Sequence, residues 1–466
     1  MEAVLLIDFG STYTKVTAVD QSTSQLLGTA AAYTTVETDV GDGLSTALAE
    51  LKRQTGKIEY QKRLACSSAA GGLRMVAIGL VPELTAKAAK LASLGAGAKV
   101  IGNYSYQLNE DDVEEIDALK PDIVLLTGGI DGGNSESILH NAKMLSGCSA
   151  DFPVVVAGNR SCARQAAKLL ENKTSYLVEN VMPELNRLNV LPAQQKIREL
   201  FLERIVRAKG LSREAELVDG ILMPTPAAVM AAMELLAGGC PGHSGIGELI
   251  AADLGGATTD IYSIASGDPR KDTTVYKGLP EPYAKRTVEG DIGMRYSVLG
   301  IPEAAGGYRR VAELAEMPEE KARELTAYLA AHTDALPTTG ELERIDFALA
   351  ALAVETAVAR HCGTMEQVFT LTGTALAQTG KDLTEVERLV MTGGAVIHAK
   401  RVADIAAHAL YSTKQPESLR PLKAEILVDK EYILAAMGLL AGHHPASALN
   451  VMKKELVSHG FAQQKN

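Results

Sequence analysis

Tryptophan is absent from this 466-residue chain, and only 4% of its residues are aromatic. A core organised on large rings is thereby excluded. The abundant alanine and 42 glycines point instead to close helix–sheet packing in an α/β protein. A basic excess is missing too. The net charge of −11 argues against general affinity for nucleic acid, which needs a cationic surface to displace counterions, although a local basic patch stays open. No apolar run reaches membrane-spanning length, and the N-terminus starts directly on a strand, without a basic n-region and an apolar h-region. A soluble protein with no membrane association is expected. Cysteine is sparse: Cys66, Cys148, Cys162, Cys240 and Cys362 are scattered, with no Cys-x-x-Cys pair, which suggests a reduced, cytoplasmic compartment. One or two lone cysteines could serve an iron–sulfur cluster shared at a subunit interface, but a small buried hydrophobe is the ordinary reading.

What is present is a turn that occurs twice. In Leu249-Ile250-Ala251-Ala252-Asp253-Leu254-Gly255-Gly256-Ala257-Thr258-Thr259-Asp260-Ile261-Tyr262, an apolar strand runs into a carboxylate, two glycines, two hydroxyls and a second carboxylate. Glycine N–H groups can point at phosphate oxygens, and a carboxylate at a strand end can hold Mg²⁺ through water. Taken alone, the same residues suit a plain β-hairpin equally well. The segment Val4-Leu5-Leu6-Ile7-Asp8-Phe9-Gly10-Ser11-Thr12-Tyr13-Thr14-Lys15 repeats the layout at one constant offset: Asp8 falls on Asp253, Gly10 on Gly255, Thr14 on Thr259 and Lys15 on Asp260. Such self-similarity predicts a duplicated domain, and a cleft between the copies could clamp a phosphate chain.

A chain of this length exceeds one core and implies two or three domains. After the first hairpin, residues 25–36 read as a further strand, Gly41-Asp42-Gly43 as a loop and 44–51 as an amphipathic helix. A strand at 63–67 leads into Ser67-Ser68-Ala69-Ala70-Gly71-Gly72-Leu73-Arg74-Met75, small residues that favour tight turns and could also form an anion nest. Residues 82–94 make a helix. From 99 to 209, strands at 99–104, 122–127, 154–157 and 176–178 alternate with helices at 110–119, 135–145, 161–170 and 193–209. That is the pattern of a doubly wound parallel sheet. The Gly-rich loop Thr127-Gly128-Gly129-Ile130-Asp131-Gly132-Gly133 either binds an anion or a partner, or simply turns tightly.

Further on, residues 283–295 mix both charge signs around Gly290 and Gly293, in a loop that is either solvated or touches nucleotide or partner. Residues 309–361 are mostly helical, and His361 and Cys362 are read as a helix C-terminus rather than metal ligands. A third turn, Met391-Thr392-Gly393-Gly394-Ala395, lets backbone approach a flat or charged ligand closely. Helices at 224–236 and 432–441 are rich in small residues suited to close crossing.

Together these residues resemble the actin, heat-shock-chaperone and sugar-kinase ATPase superfamily. Residues 8–15 match its first phosphate motif, 253–260 its second and 392–395 its adenosine motif, while 224–236 and 432–441 resemble its two connecting helices. The resemblance implies duplicated RNase-H-like (actin-like ATPase) domains with an inserted doubly wound parallel α/β domain. Residues 1–98 would form the first RNase-H-like domain, 99–210 the insert, suited to gripping a partner, and 211–246 the return to the first domain. Residues 247–466 would form the second, with a helical subdomain at about 300–362. It implies Mg²⁺ oriented by Asp8 and Asp253. It implies β- and γ-phosphates held by Gly10, Ser11, Thr12, Lys15, Gly255, Gly256, Ala257 and Thr258, adenosine bordered by Gly393, Gly394 and Ala395, and an attacking water positioned by Asp253 or Asp260. One position departs: where the heat-shock chaperones have a Glu before the Pro-Thr of the connecting helix, this chain has Met223, so the hydrolysis implied is slow.

The stretches 66–75, 127–133, 157–159 and 285–291 are similar, within a likeness running end to end, to the GlmL family, also called MutL in glutamate-mutase operons. That likeness implies a cytoplasmic, ATP/ADP- and Mg²⁺-dependent reactivating chaperone for an adenosylcobalamin-dependent mutase, glutamate mutase or a related aminomutase. Its partners would be the mutase subunits, not nucleic acid or membrane, and a homodimer is compatible with it. The alternative is a small-molecule kinase of the same superfamily, which would need a carboxylate base and a polar substrate pocket that the sequence does not single out.

Overall fold

Apolar strands flanked by small-residue turns generate two sheets of the same kind. The computed structural model describes residues 1–10, 12–34, 40–68, 73–208, 221–271, 273–370 and 373–463. The chain divides into two compact units, one comprising Met1–Ala232, Gly278–Pro282 and Ala435–Ala448, the other Met233–Lys277, Tyr283–Leu434 and Leu449–Asn466. The unit boundary thus falls inside the helix Thr225–Gly238 and at the start of the helix Leu434–Ala441, the two segments read as connecting helices.

In the first unit, β1 (Ala3–Phe9), β2 (Tyr13–Asp20), β3 (Gln25–Tyr33) and β4 (Tyr60–Ser67) precede an excursion through β5 (Arg74–Ile78), β6 (Lys99–Tyr104), β7 (Ile123–Leu126), β8 (Val154–Val156) and β9 (Ser175–Leu177). The chain then returns in β10 (Ile221–Pro224). The first sheet has the order β10-β4-β1-β2-β3, in which β1, β2 and β3 are antiparallel neighbours and β4 and β10 lie parallel to β1. β1 is buried along its whole length. The helix Val40–Thr55 packs Leu44, Ala47 and Leu51 into the same core. Gly41 and Gly43 form its first turn, not the loop that their composition suggests. The closeness shows at Gly28, where a Cβ would stand 2.7 Å from Thr55 Cγ2.

The second sheet of this unit is wholly parallel, ordered β6-β5-β7-β8-β9. Alternate residues feed opposite faces. Met75, Ala77, Ile123, Leu125 and Val155 join the core shared with the first sheet, while Val76, Ile78, Val124, Leu126, Val154 and Val156 join a separate core with Ile116, Ile138, Ala142 and Leu145. Burial on both faces is what makes these strands read as continuous apolar runs. The sheet begins earlier than residue 99. Its second strand in spatial order is Arg74–Ile78, hidden in the sequence because it emerges directly from a run of small residues, and only pairing with both β6 and β7 fixes it as a strand of the insert. Residues 69–72 of that run, like those expected to extend β3 past residue 34, lie outside the described residues.

The second unit opens with the two-residue strands β11 (Gly239–Cys240) and β12 (His243–Ser244). It continues through β13 (Leu249–Leu254), β14 (Thr259–Ile264), β15 (Thr274–Lys277), β16 (Ala284–Glu289), β17 (Thr364–Thr370), β18 (Gly373–Thr379), β19 (Arg388–Thr392), β20 (Ala424–Val428) and β21 (Val457–Ala462). Its main sheet is ordered β16-β14-β13-β19-β20-β21. Without the added strand β21, this repeats the first unit strand for strand: β13 stands for β1, β14 for β2, β16 for β3, β19 for β4 and β20 for β10, with the same parallel and antiparallel senses. Two RNase-H-like sheets with an inserted doubly wound sheet are therefore the architecture. Helices Gly300–Ala304, Tyr308–Ala315, Glu319–Ala331 and Gly340–His361 fill residues 300–361. The last of them, apolar nearly all round its axis, is the centre of this unit's core.

Candidate functional site

The first turn joins β1 to β2 with Asp8 opposite Lys15 and Phe9 opposite Thr14. Gly10 N–H donates to Tyr13 O at 3.2 Å, and a Cβ on Gly10 would lie 2.5 Å from that oxygen, so only glycine closes the turn. Lys15 Nζ donates to Asp8 Oδ2 at 3.2 Å. The other carboxylate oxygen is held by residues distant in sequence: Thr225 Oγ1 donates to Asp8 Oδ1 at 2.6 Å and Cys66 Sγ at 3.5 Å. Asp8 is buried, and burial together with the adjacent Asp8 charge pushes the Cys66 thiol well above its ordinary range, so it stays protonated and can donate. Thr12 O accepts Thr34 N–H at 2.8 Å, tying the turn to the end of β3. Ser11, expected to hold phosphate, lies outside the described residues.

The second turn copies the first. Asp253 is opposite Asp260 and Leu254 opposite Thr259, and Gly255 N–H donates to Thr258 O at 3.0 Å. A loop that composition left open as a solvated turn packs against it. Met294 N–H donates to Gly255 O at 3.0 Å, while Arg295 and Tyr296 N–H both donate to Gly256 O at 2.8 and 2.9 Å. In a trans peptide the carbonyl and the following N–H point to opposite sides, so these bonds aim the N–H groups of Gly256 and Ala257 away from the loop. Ala257 is exposed, and two outward N–H groups at consecutive residues are what an anion needs. Thr258 Oγ1 donates to Asp260 Oδ2 at 3.1 Å and Arg286 Nε to Asp260 Oδ1 at 2.8 Å, so both oxygens of Asp260 are engaged inside the unit. Where the first hairpin pairs Asp8 with Lys15, the second balances Asp260 with Arg286 on the next strand, a partner in the 285–291 stretch that sequence spacing does not reveal.

The third turn follows β19, whose Thr392 is level with Asp253 in the parallel register, as Cys66 is level with Asp8. Gly393 has a φ of +104°, and a Cβ there would lie 2.4 Å from Leu254 O, so the Gly-Gly turn lies directly against the end of β13. Gly394 has open space around its missing Cβ, and Ala395 is half-buried. Thr392 Oγ1 donates to Asp429 Oδ2 at 3.1 Å. The Asp429 carboxylate, buried after β20, also accepts Ile433 and Leu434 N–H at 2.9 and 3.2 Å, fixing the start of the helix Leu434–Ala441.

The structure thus gathers Asp8, Gly10, Thr12 and Lys15 in one turn of the first unit. In the second it gathers Asp253, Gly255, Gly256, Ala257, Thr258 and Asp260 in one turn beside Gly393, Gly394 and Ala395. Among the described residues no group of three or more His, Cys, Asp or Glu side chains could hold a metal ion. Isolated carboxylates at strand ends suit Mg²⁺ that arrives with phosphate and keeps its waters, better than a metal caged by protein. The helix Gly340–His361 ends where the sequence predicts its C-terminus, with Cys362 as its C-cap. His361 is fully buried, with Ser263 Oγ 2.8 Å from Nε2 and Thr287 Oγ1 2.8 Å from Nδ1. All five cysteines are free, and no helix of the described residues is long and apolar enough to cross a membrane.

Known proteins resemble this chain at two levels. A family model described as MutL protein matches residues 4–456. Protein MutL of Clostridium tetanomorphum is 47% identical over 461 residues, which cover 98% of this chain and 100% of the relative. Among solved structures, component A of (R)-2-hydroxyglutaryl-CoA dehydratase from Acidaminococcus fermentans shares 10% identity at a TM-score of 0.32, covering 98% of this chain and 99% of that one. Xylulose kinase from Bifidobacterium adolescentis shares 13% identity at a TM-score of 0.33, covering 99% and 96%.

Proposed function

Because the chain belongs to the MutL protein family, we propose that it is a slowly hydrolysing, Mg·ATP-dependent reactivating chaperone for an adenosylcobalamin-dependent mutase, glutamate mutase or a related aminomutase, working in the cytoplasm. The observation that carries the nucleotide part is the pair of hairpins in which Asp8 and Asp253 occupy the same register position and Gly10 and Gly255 close the same turn. In this reading Asp8 and Asp253 orient Mg²⁺ and its waters. Ser11, Thr12, Lys15 and the N–H groups of Gly255, Gly256 and Ala257 take phosphate oxygens, and Gly393, Gly394 and Ala395 border adenosine. Bound Mg²⁺ would neutralise phosphate charge. The protein's share is positioning and charge stabilisation, which dominate phosphoryl transfer. Thr258, its hydroxyl proton committed to Asp260, offers phosphate its backbone; Asp260, paired with Arg286, supports the turn, and Asp253 or Asp260 positions the attacking water.

A switch of this kind works only if the ATP- and ADP-bound forms differ in affinity for the mutase. The direct experiment incubates the protein with mutase carrying inactivated cobalamin, together with ATP, Mg²⁺ and fresh adenosylcobalamin. Recovery of mutase turnover is expected with ATP, and recovery no greater than in a buffer control contradicts the role.

A further inference from the structure

The parallel register across β1, β4 and β10 puts Asp8 level with Cys66 and Cys66 level with Met223, so Thr225, just past the end of β10, stands at the edge of the same row. Its hydroxyl reaches Asp8 Oδ1 at 2.6 Å, and Cys66 Sγ lies 3.5 Å from that oxygen and 3.7 Å from Thr225 Oγ1. A carboxylate alone turns freely about its terminal torsion, since that well is broad and two-fold. Here Oδ1 is bound by two donors on one side and Oδ2 faces Lys15 on the other. The orientation is fixed.

We propose that Thr225 is the positioning residue for Asp8. By holding Oδ1 it presents Oδ2 to Lys15 and to the waters of nucleotide-bound Mg²⁺, an inference that rests on the nucleotide reading given above. Thr225 is also the first residue of the helix Thr225–Gly238, so the hydroxyl that holds Asp8 Oδ1 is placed by the start of that helix. The side chain at 223 carries no carboxylate, while the one at 225 orders a carboxylate on another strand. Groups that orient a metal's ligands typically change metal affinity by about 10–100-fold when removed.

The test is calorimetric binding of ADP, with Mg²⁺ and with chelator, to wild type, Thr225→Val and Thr225→Ser. Val keeps the shape and loses the hydroxyl, and Ser keeps the hydroxyl. The gain in ADP affinity conferred by Mg²⁺ is expected to fall about tenfold or more in Thr225→Val and to return in Thr225→Ser, with metal-free affinity unchanged in both. A Thr225→Val protein that keeps the wild-type gain overturns the inference, as does one that loses affinity equally with and without metal, the mark of a merely structural role. If Val does not yield folded protein, Thr225→Ala carries the same expectations. A wild type whose ADP affinity is indifferent to Mg²⁺ removes the metal role of Asp8 and this inference with it. A wild type that binds no nucleotide overturns the nucleotide function itself.

Discussion

Arg286 and Asp260 form a buried ion pair on adjacent strands, Arg286 Nε donating to Asp260 Oδ1 at 2.8 Å. Two residues diagonal to one another share one charge balance, and the Tyr262 ring lies 6.0 Å from the guanidinium. Breaking a buried pair leaves the other charge uncompensated, at a cost of about 3–5 kcal/mol. Arg286→Met should therefore lower the unfolding midpoint in urea sharply, and Asp260→Asn with Arg286→Met should recover part of the loss. A single variant as stable as wild type would show that the pair is not formed.

Gly293 governs the second turn by contact. A Cβ there would lie 2.3 Å from the Ala257 carbonyl carbon, in the loop whose N–H groups orient the Gly255 and Gly256 peptides. Relieving that overlap costs about 1–3 kcal/mol, and each ~1.4 kcal/mol spent in the turn is a tenfold change in affinity. Gly293→Ala is expected to weaken Mg·ATP binding about tenfold in a calorimetric titration. Undiminished affinity would separate the turn from the phosphate.

Gly438 meets Ala228 backbone to backbone, a Cβ on Gly438 falling 1.8 Å from Ala228 O. In an exposed helix, Gly→Ala gains about 1 kcal/mol from propensity, whereas overpacking costs about 1–3 kcal/mol. At this distance overpacking wins. Gly438→Ala should destabilise the first unit, detected as earlier hydrogen exchange or a lower melting temperature, and a raised melting temperature would mean that the helices part easily.

His361 makes stability depend on pH. Burial, with Lys285 and Lys381 nearby, holds its pKa well below the ordinary imidazole range, so in the folded chain it stays neutral between Ser263 and Thr287. Below about pH 6.5 the unfolded chain takes up a proton that the folded chain refuses, so this contribution is full above about pH 6.5 and lost on acidification, by about 1.4 kcal/mol per pH unit. The stability difference between wild type and His361→Gln should shrink in wild type's disfavour as pH falls from about 7 to 5.5, through the ordinary histidine range. A difference independent of pH would mean that His361 takes up its proton over the same pH range in the folded and the unfolded chain.

Much of this was legible in the sequence because it was carried by spacing. The constant offset between Asp8 and Asp253 became an identical strand register, and the alternation after residue 99 became a parallel sheet with helices on both faces. What stayed hidden depends on residues brought together over long separations. Thr225 and Cys66 on Asp8, and Arg286 on Asp260, are ordinary residue types whose roles appear only once β10, β4 and β16 are placed beside their neighbours. The strand Arg74–Ile78 was masked by the small residues before it, and the 294–296 loop by a charge pattern typical of solvated turns, although its contacts are made by backbone N–H groups.

The central claim, that the duplicated carboxylate turns bind and turn over Mg·ATP, is tested most directly by Asp253→Asn. The change is nearly isosteric and removes one charge at the end of β13. Mg²⁺-dependent release of phosphate from ATP should fall by at least about tenfold while the unfolding midpoint stays that of wild type. Turnover equal to that of wild type in a folded Asp253→Asn protein would contradict the account.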